Sequence, residues 1–149
     1  TFTDRYKAFY DAMTQHHLPV NDKFVLNCDL SPKLAANQIS KIVENGDIPE
    51  AFVCINDIIA SAVMERLNSF GISVPEDVAV TGFDDIPYAR YISPPLTTVK
   101  IPVREMALRA TERAIELINN PDFECSNDIF ETKPVYRKSA YINTDAINT

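Results

Sequence analysis

The sequence is short of glycine, cysteine, positive charge and long apolar runs, and each shortage removes a class of protein. Only three glycines occur in 149 residues, Gly46, Gly71 and Gly82. No two lie close enough to build a phosphate-cradling loop, so P-loop and dinucleotide-binding fingerprints are absent. The three cysteines, Cys28, Cys54 and Cys125, are odd in number and lack C-x-x-C spacing. That argues against a disulfide framework and a structural zinc site, and makes a reducing cytoplasm the expected compartment. No run of about 18 apolar residues exists to span a bilayer. The opening residues, TFTDRYKAFYDAMT, have no basic end, apolar block or cleavage site of a secretory signal. Fourteen Lys and Arg against 21 Asp and Glu leave a net charge of −7. Strong binding to a nucleic-acid backbone is therefore not expected of these residues, because each phosphate contact needs a cation to displace a counterion. With 46% hydrophobic and 23% charged residues, the chain is a globular domain of ordinary size.

What is present is an alternation of helical and extended patterns. From Asp4 to about His16, Tyr6, Phe9, Tyr10 and Met13 repeat at helical spacing. FVLNC (residues 24–28) predicts a short strand, and Ser31-Pro32 a helix start with a side-chain cap and proline at the first position. Leu34, Ala35, Ile39, Ile42 and Val43 mark that helix's buried face. AFVCI (51–55) is apolar without alternation, as in a strand covered on both sides. Asn56-Asp57 can cap the next helix, where Ile59, Ala62, Val63 and Leu67 share a face. VAVTGF (78–83) predicts a third strand. Gly46 and Gly71 fit left-handed helix ends, and Gly82 a sharp turn out of the strand. A proline-rich loop, PYARYISPP, leads into extended LTTVKI. A long amphipathic helix follows, its stripe formed by Val103, Met106, Ala107, Ala110, Ala114, Leu117 and Ile118. KPVYRKSAYI predicts an edge strand and NTDAINT a tail.

This order is that of an α/β fold, a parallel sheet with helices on both faces and right-handed crossovers. Ligands of such sheets sit beyond the carboxyl ends of the strands. Cys28-Asp29-Leu30, Asn56-Asp57 and Asp84-Asp85 lie at those ends. Asp29, Asn56 and Asp57 are equally readable as helix caps, Arg5 as a solvated helix charge, and Asp85 as a turn residue accepting backbone N–H bonds. His16 and His17 point about 100° apart on a helix and make poor joint ligands, so no metal site is expected. A magnesium-dependent phosphoryl-transfer enzyme built on Asp29, Asp57, Asp84, Asp85 and Lys100 is disfavoured, since a D-x-D nucleophile pattern and a phosphate loop are both missing.

Two phrases, INDIIASAVMERLNSFGISVPEDVAVTGFDD and SPPLTTVKIPVREMALRATERAIELI, together resemble the lactose-repressor (LacI/GalR) family of bacterial transcription regulators. The family's A-N-D-x-x-A, G-x-x-V-P-x-D, G-[FY]-D-D and P-P-L-T-T follow here in order. Arg5 and Phe9 match its R-x-x-G-F helix, with Ala8 in place of glycine. The resemblance implies the C-terminal half of a two-lobed, periplasmic-binding-protein-like (type I) sensor of a sugar or related metabolite. Residues 1–102 would form the C-terminal lobe, 103–131 a helix and loop packing on a first lobe outside this chain, and 132–149 a return strand and tail.

Carried over residue by residue, the resemblance implies effector contacts at Arg5, Asn56 and Asp84. Leu30 stands near a position where the family often places an aromatic. It also implies a homodimer, with Ile59, Ala62, Val63, Arg66 and Tyr91 as interface candidates; burial of Ile59, Ala62 and Val63 against their own sheet is the competing reading. DNA binding would belong to a helix-turn-helix absent from these residues. No enzyme activity, cofactor or membrane is implied. An extracytoplasmic sugar-binding protein of a transport system shares the architecture and is the alternative.

Overall fold

The computed structural model describes residues 2–120, 123–124 and 126–140. Cys125 and the tail NTDAINT lie outside the described residues. The elements are α1 (Phe2–Gln15), a 3-10 turn (Asp22–Phe24), α2 (Pro32–Glu44), β1 (Ala51–Val53), α3 (Asp57–Ser69), β2 (Ala79–Thr81), a second 3-10 turn (Pro87–Arg90), β3 (Thr98–Lys100), α4 (Val103–Asn119) and β4 (Lys133–Val135).

Strands β1 and β2 pair in parallel, Phe52 opposite Val80, with α3 as the connection between them. Beyond β2, Gly82 N–H donates to Thr97 O and Asp84 N–H to Val99 O, both at 2.9 Å, so the segment leading through β3 runs parallel to 81–84. β4 closes the far side antiparallel to β3, with Pro134, which has no N–H to give, opposite Val99. The helix starts are those expected. Ser31 Oγ accepts from Leu34 N–H at 3.3 Å, with Pro32 in the first turn. Asn56 Oδ1 accepts from Ile59 N–H at 2.9 Å. Gly46 and Gly71 both take φ +74° just past α2 and α3, where any side chain would be strained. α2 packs along α3, and the core gathers Ile39, Leu67, Val78, Val80 and Leu96, all at most 1% exposed.

Three expectations are corrected. FVLNC forms no strand: it leaves the 3-10 turn and runs into a tight turn in which Ser31 N–H donates to Cys28 O at 2.7 Å. Asp29 and Leu30 both have positive φ there, 45° and 57°. Asn27 Oδ1 accepts from Asp29 N–H, and Asn27 O from the Gln38 side chain, so side-chain bonds occupy groups that a ladder would use. β1 is covered on one side rather than two, since Phe52 is buried while Val53 is 62% exposed. Gly82 is needed for close approach, not for a turn: a Cβ there would stand 2.3 Å from Asp57 Oδ1 and 2.9 Å from Leu96 Cδ2. The helical spacing read from Asp4 onward is that of α1, on which Tyr6 and Tyr10 are exposed and meet edge-on, ring centres 5.7 Å apart.

Candidate functional site

At the carboxyl end of the parallel strands three separated segments meet. Arg5, on α1, donates from Nη1 to Ile55 O at 2.8 Å, and its Nη2 lies 3.6 Å from Asp84 Oδ1. Its guanidinium also sits 3.8 Å above the Phe83 ring, the geometry of a cation–π contact. It is therefore not a free helix charge. Asn56 follows Ile55 directly. Its Oδ1 is spent on the α3 cap, which leaves the amide Nδ2 as the face it can turn to a ligand.

Asp84 is held in an unusual backbone state, φ 112°, followed by Asp85 at φ 53°. A non-glycine residue in such a region costs on the order of 1–3 kcal/mol and persists only where its surroundings over-determine it. Burial pushes the Asp84 carboxyl above the ordinary carboxylate range, Arg5 pulls it back, and the neighbouring Asp57 pushes it up again.

Asp57 is corrected in role. The cap is Asn56, and Asp57, fully buried, is a brace. Its Oδ2 accepts from Ile86 N–H at 2.8 Å, its Oδ1 from the Thr98 hydroxyl at 2.5 Å, and its own N–H donates to Phe83 O at 2.9 Å. Burial raises its pKa first of all, while the Thr98 and Ile86 bonds oppose the rise. Asp85 pairs with a side chain, Arg137 Nη2 at 2.5 Å, instead of the backbone N–H bonds expected of a turn residue.

The structure thus brings Arg5, Asn56 and Asp84 together. Leu30 lies on the turn after Cys28, 44% exposed. Of the interface candidates, Ile59 and Val63 are corrected: at 5% and 3% exposure they are consumed by the chain's own core. Ala62 and Arg66 line an open cleft of about 310 Å³ between α2 and α3, with Pro32 and Lys33 on its other wall. Tyr91 is 75% exposed. Sequence reasoning missed Thr98, Arg137 and Ser139. Thr98 and Arg137 reach Asp57 and Asp85 from 40 or more residues away, and Ser139 ties Thr97 to Val80 beneath them; no local pattern announces any of the three.

Asp57 and Asp85 are committed to protein partners. Among the described residues no group of three His, Cys, Asp or Glu is placed to hold a metal ion, and no helix is long and apolar enough to cross a membrane. Cys28 and Cys54 are free and buried, and burial drives the Cys54 thiol up to about 12, which leaves it unreactive. What the arrangement offers is a fixed cation, amide and carboxylate on a rigid rim, a surface suited to neutral hydroxyl-bearing molecules.

A parallel α/β lobe with polar side chains at the strand ends is the construction of periplasmic-binding-protein-like sensors, and the comparisons agree. Residues 1–140 match the model of the periplasmic binding protein-like domain, and the chain belongs to that family. Its relatives are transcription regulators of the LacI type. It is 34% identical over 143 residues to the HTH-type transcriptional repressor PurR of Aliivibrio salmonicida, across 95% of this chain and 42% of that protein. The crystal structure of the Escherichia coli transcriptional repressor AscG aligns with a TM-score of 0.81 at 34% identity, covering 94% of this chain and 51% of that one. A sugar-binding transcriptional regulator of the LacI family from Escherichia coli, solved with phosphate, gives 0.78 at 34% identity, covering 92% and 49%. The chain spans less than half the length of the PurR relative.

Proposed function

We propose that this chain is the C-terminal lobe of the effector-binding domain of a cytoplasmic, DNA-binding transcription regulator, and that it grips a small polar metabolite, a sugar or a chemical relative, without transforming it. The observation that carries the reading is the convergence of Arg5, Asn56 and Asp84 at the carboxyl ends of the strands, with Arg5 fixed by Ile55 O and the Phe83 ring. A second lobe closing over these side chains would enclose the ligand. An effector that binds one lobe arrangement more tightly than the other shifts their populations and thereby operator affinity. Operator contacts would be made by a helix-turn-helix outside these residues. The regulator would act as a homodimer, with Ala62, Arg66 and Tyr91 as the surface side chains available to a second copy.

Leu30, exposed on its turn, would supply an apolar contact to the ligand. A thermal-shift screen of sugars, nucleobases and sugar phosphates on the two-lobed protein tests the reading. At least one compound should raise the melting temperature, and Arg5→Ala and Asp84→Ala should each abolish that rise. Retention of the full shift by both variants would overturn the site.

A further inference from the structure

Resting on that reading of Asp84, we infer that Arg137 is a positioning residue for the site: from the returning segment after α4 it grips Asp85 and holds the Asp84–Asp85 turn in its ligand-facing shape. The turn needs such a hold, because two successive residues without a glycine sit at positive φ. One side is braced by Asp57, which takes the Ile86 N–H, and by Val99 O, which takes the Asp84 N–H. The other side is Arg137. Its two terminal nitrogens are both used, Nη1 on Leu96 O at 2.8 Å and Nη2 on Asp85 Oδ1 at 2.5 Å. The first bond fixes the plane of the guanidinium, so that the second lands in one place.

The platform beneath is rigid. Arg137 N–H donates to Thr97 Oγ1 at 2.9 Å. Two residues on, the fully buried Ser139 accepts from Thr97 N–H and donates to Val80 O. The Arg137–Asp85 pair is itself well buried, 15% and 7% exposed. Buried pairs contribute little net stability, and fixing one conformation is among the uses proposed for them.

Amide hydrogen exchange on the full-length protein tests this without any ligand. Arg137→Gln leaves a buried charge unpaired and can unfold the lobe. The double variant Asp85→Asn/Arg137→Met removes both charges and keeps the test usable. In it, the amides of Asp84 and Ile86 should exchange at least about tenfold faster, while those of Val80 and Leu67 keep their wild-type protection. Arg137→Lys alone, which keeps a cation beside Asp85, should retain more of the protection than the double variant does.

Unchanged exchange at Asp84 and Ile86, or an equal rise at Val80 and Leu67, would overturn the inference. A parallel thermal-shift arm uses D-glucose, D-galactose, adenine and glucose 6-phosphate. Any of them that stabilises the wild type should stabilise the double variant less. If none acts on the wild type, it is the effector reading that loses support from this panel, and the exchange result still decides whether Arg137 holds the turn.

Discussion

Helices α3 and α4 are both amphipathic, yet their fates in the structure are opposite. α3 buries Asp57, Ile59, Ala60, Val63, Met64 and Leu67. α4 buries nothing among the described residues, and Val103, Met106, Leu117 and Ile118 of its apolar stripe are 60, 42, 40 and 78% exposed. The polar side of α4 is the organised one: Arg109 and Arg113 share Asp128 at 3.0 and 3.3 Å and pair with Glu112 and Glu116 at 3.2 and 3.1 Å. Exposed ion pairs of this kind hold little. A periodic stripe specifies which face of a helix will be buried, but not what will cover it. For α3 the cover is β2 and α2; for α4 none is present among the described residues.

The largest effect expected separates these two helices directly. Leu67→Ala removes a side chain with no exposed surface and should destabilise the chain by about 2–5 kcal/mol. Ile118→Ala in the same chain should stay within about 0.5 kcal/mol. Urea unfolding of both variants makes the check, and similar costs would erase the contrast. In a protein that also carries a first lobe, Ile118→Ala should become costly, which would show that the first lobe covers this stripe.

A middle-sized effect contrasts two glycines. Gly82→Ala drives a methyl group into Asp57 Oδ1 and Leu96, an overpacking that should cost about 1–3 kcal/mol. Gly71→Ala meets nothing within 4 Å and pays only for its left-handed backbone, about 1 kcal/mol. Thermal melts that rank them the other way would show that the Asp57 brace has slack.

The same contrast explains what was legible in the sequence. Helix starts at Ser31-Pro32 and Asn56 were readable because a cap is local chemistry. Parallel strands at Ala51 and Ala79 were readable because apolar runs between helices have few other uses. FVLNC was misread, since apolar content cannot reveal that Asn27 will tie its own neighbours into a turn. Of the candidate site, the meeting of Arg5, Asn56 and Asp84 was legible through motif order. The brace was not: Asp57, Thr98 and Arg137 find one another only once β3 and the returning segment are laid beside β2, and tertiary contacts of that range leave no periodic trace. For Ile59 and Val63 a partner surface and the chain's own core both stay open at the level of sequence, because helical spacing alone cannot distinguish a stripe facing its own core from one facing another chain.

The smallest effect concerns pH and sharpens the contrast between Asp84 and exposed carboxylates. Burial raises the Asp84 pKa above its ordinary value, so the folded state binds this proton more tightly than the unfolded chain. The cost of keeping Asp84 ionised is absent below the ordinary carboxylate pKa of about 4 and complete above the raised folded value. Through that window this group makes the wild type less stable as pH rises. Asp84→Asn removes the dependence, so it should match the wild type in acid and exceed it near neutral pH, as urea midpoints across the window would record. Arg5 opposes the rise; in an Arg5→Ala background the folded pKa climbs further, and the neutral-pH gain from Asp84→Asn should grow. An unchanged gain would mean that the 3.6 Å approach of Arg5 to Asp84 carries no electrostatic weight.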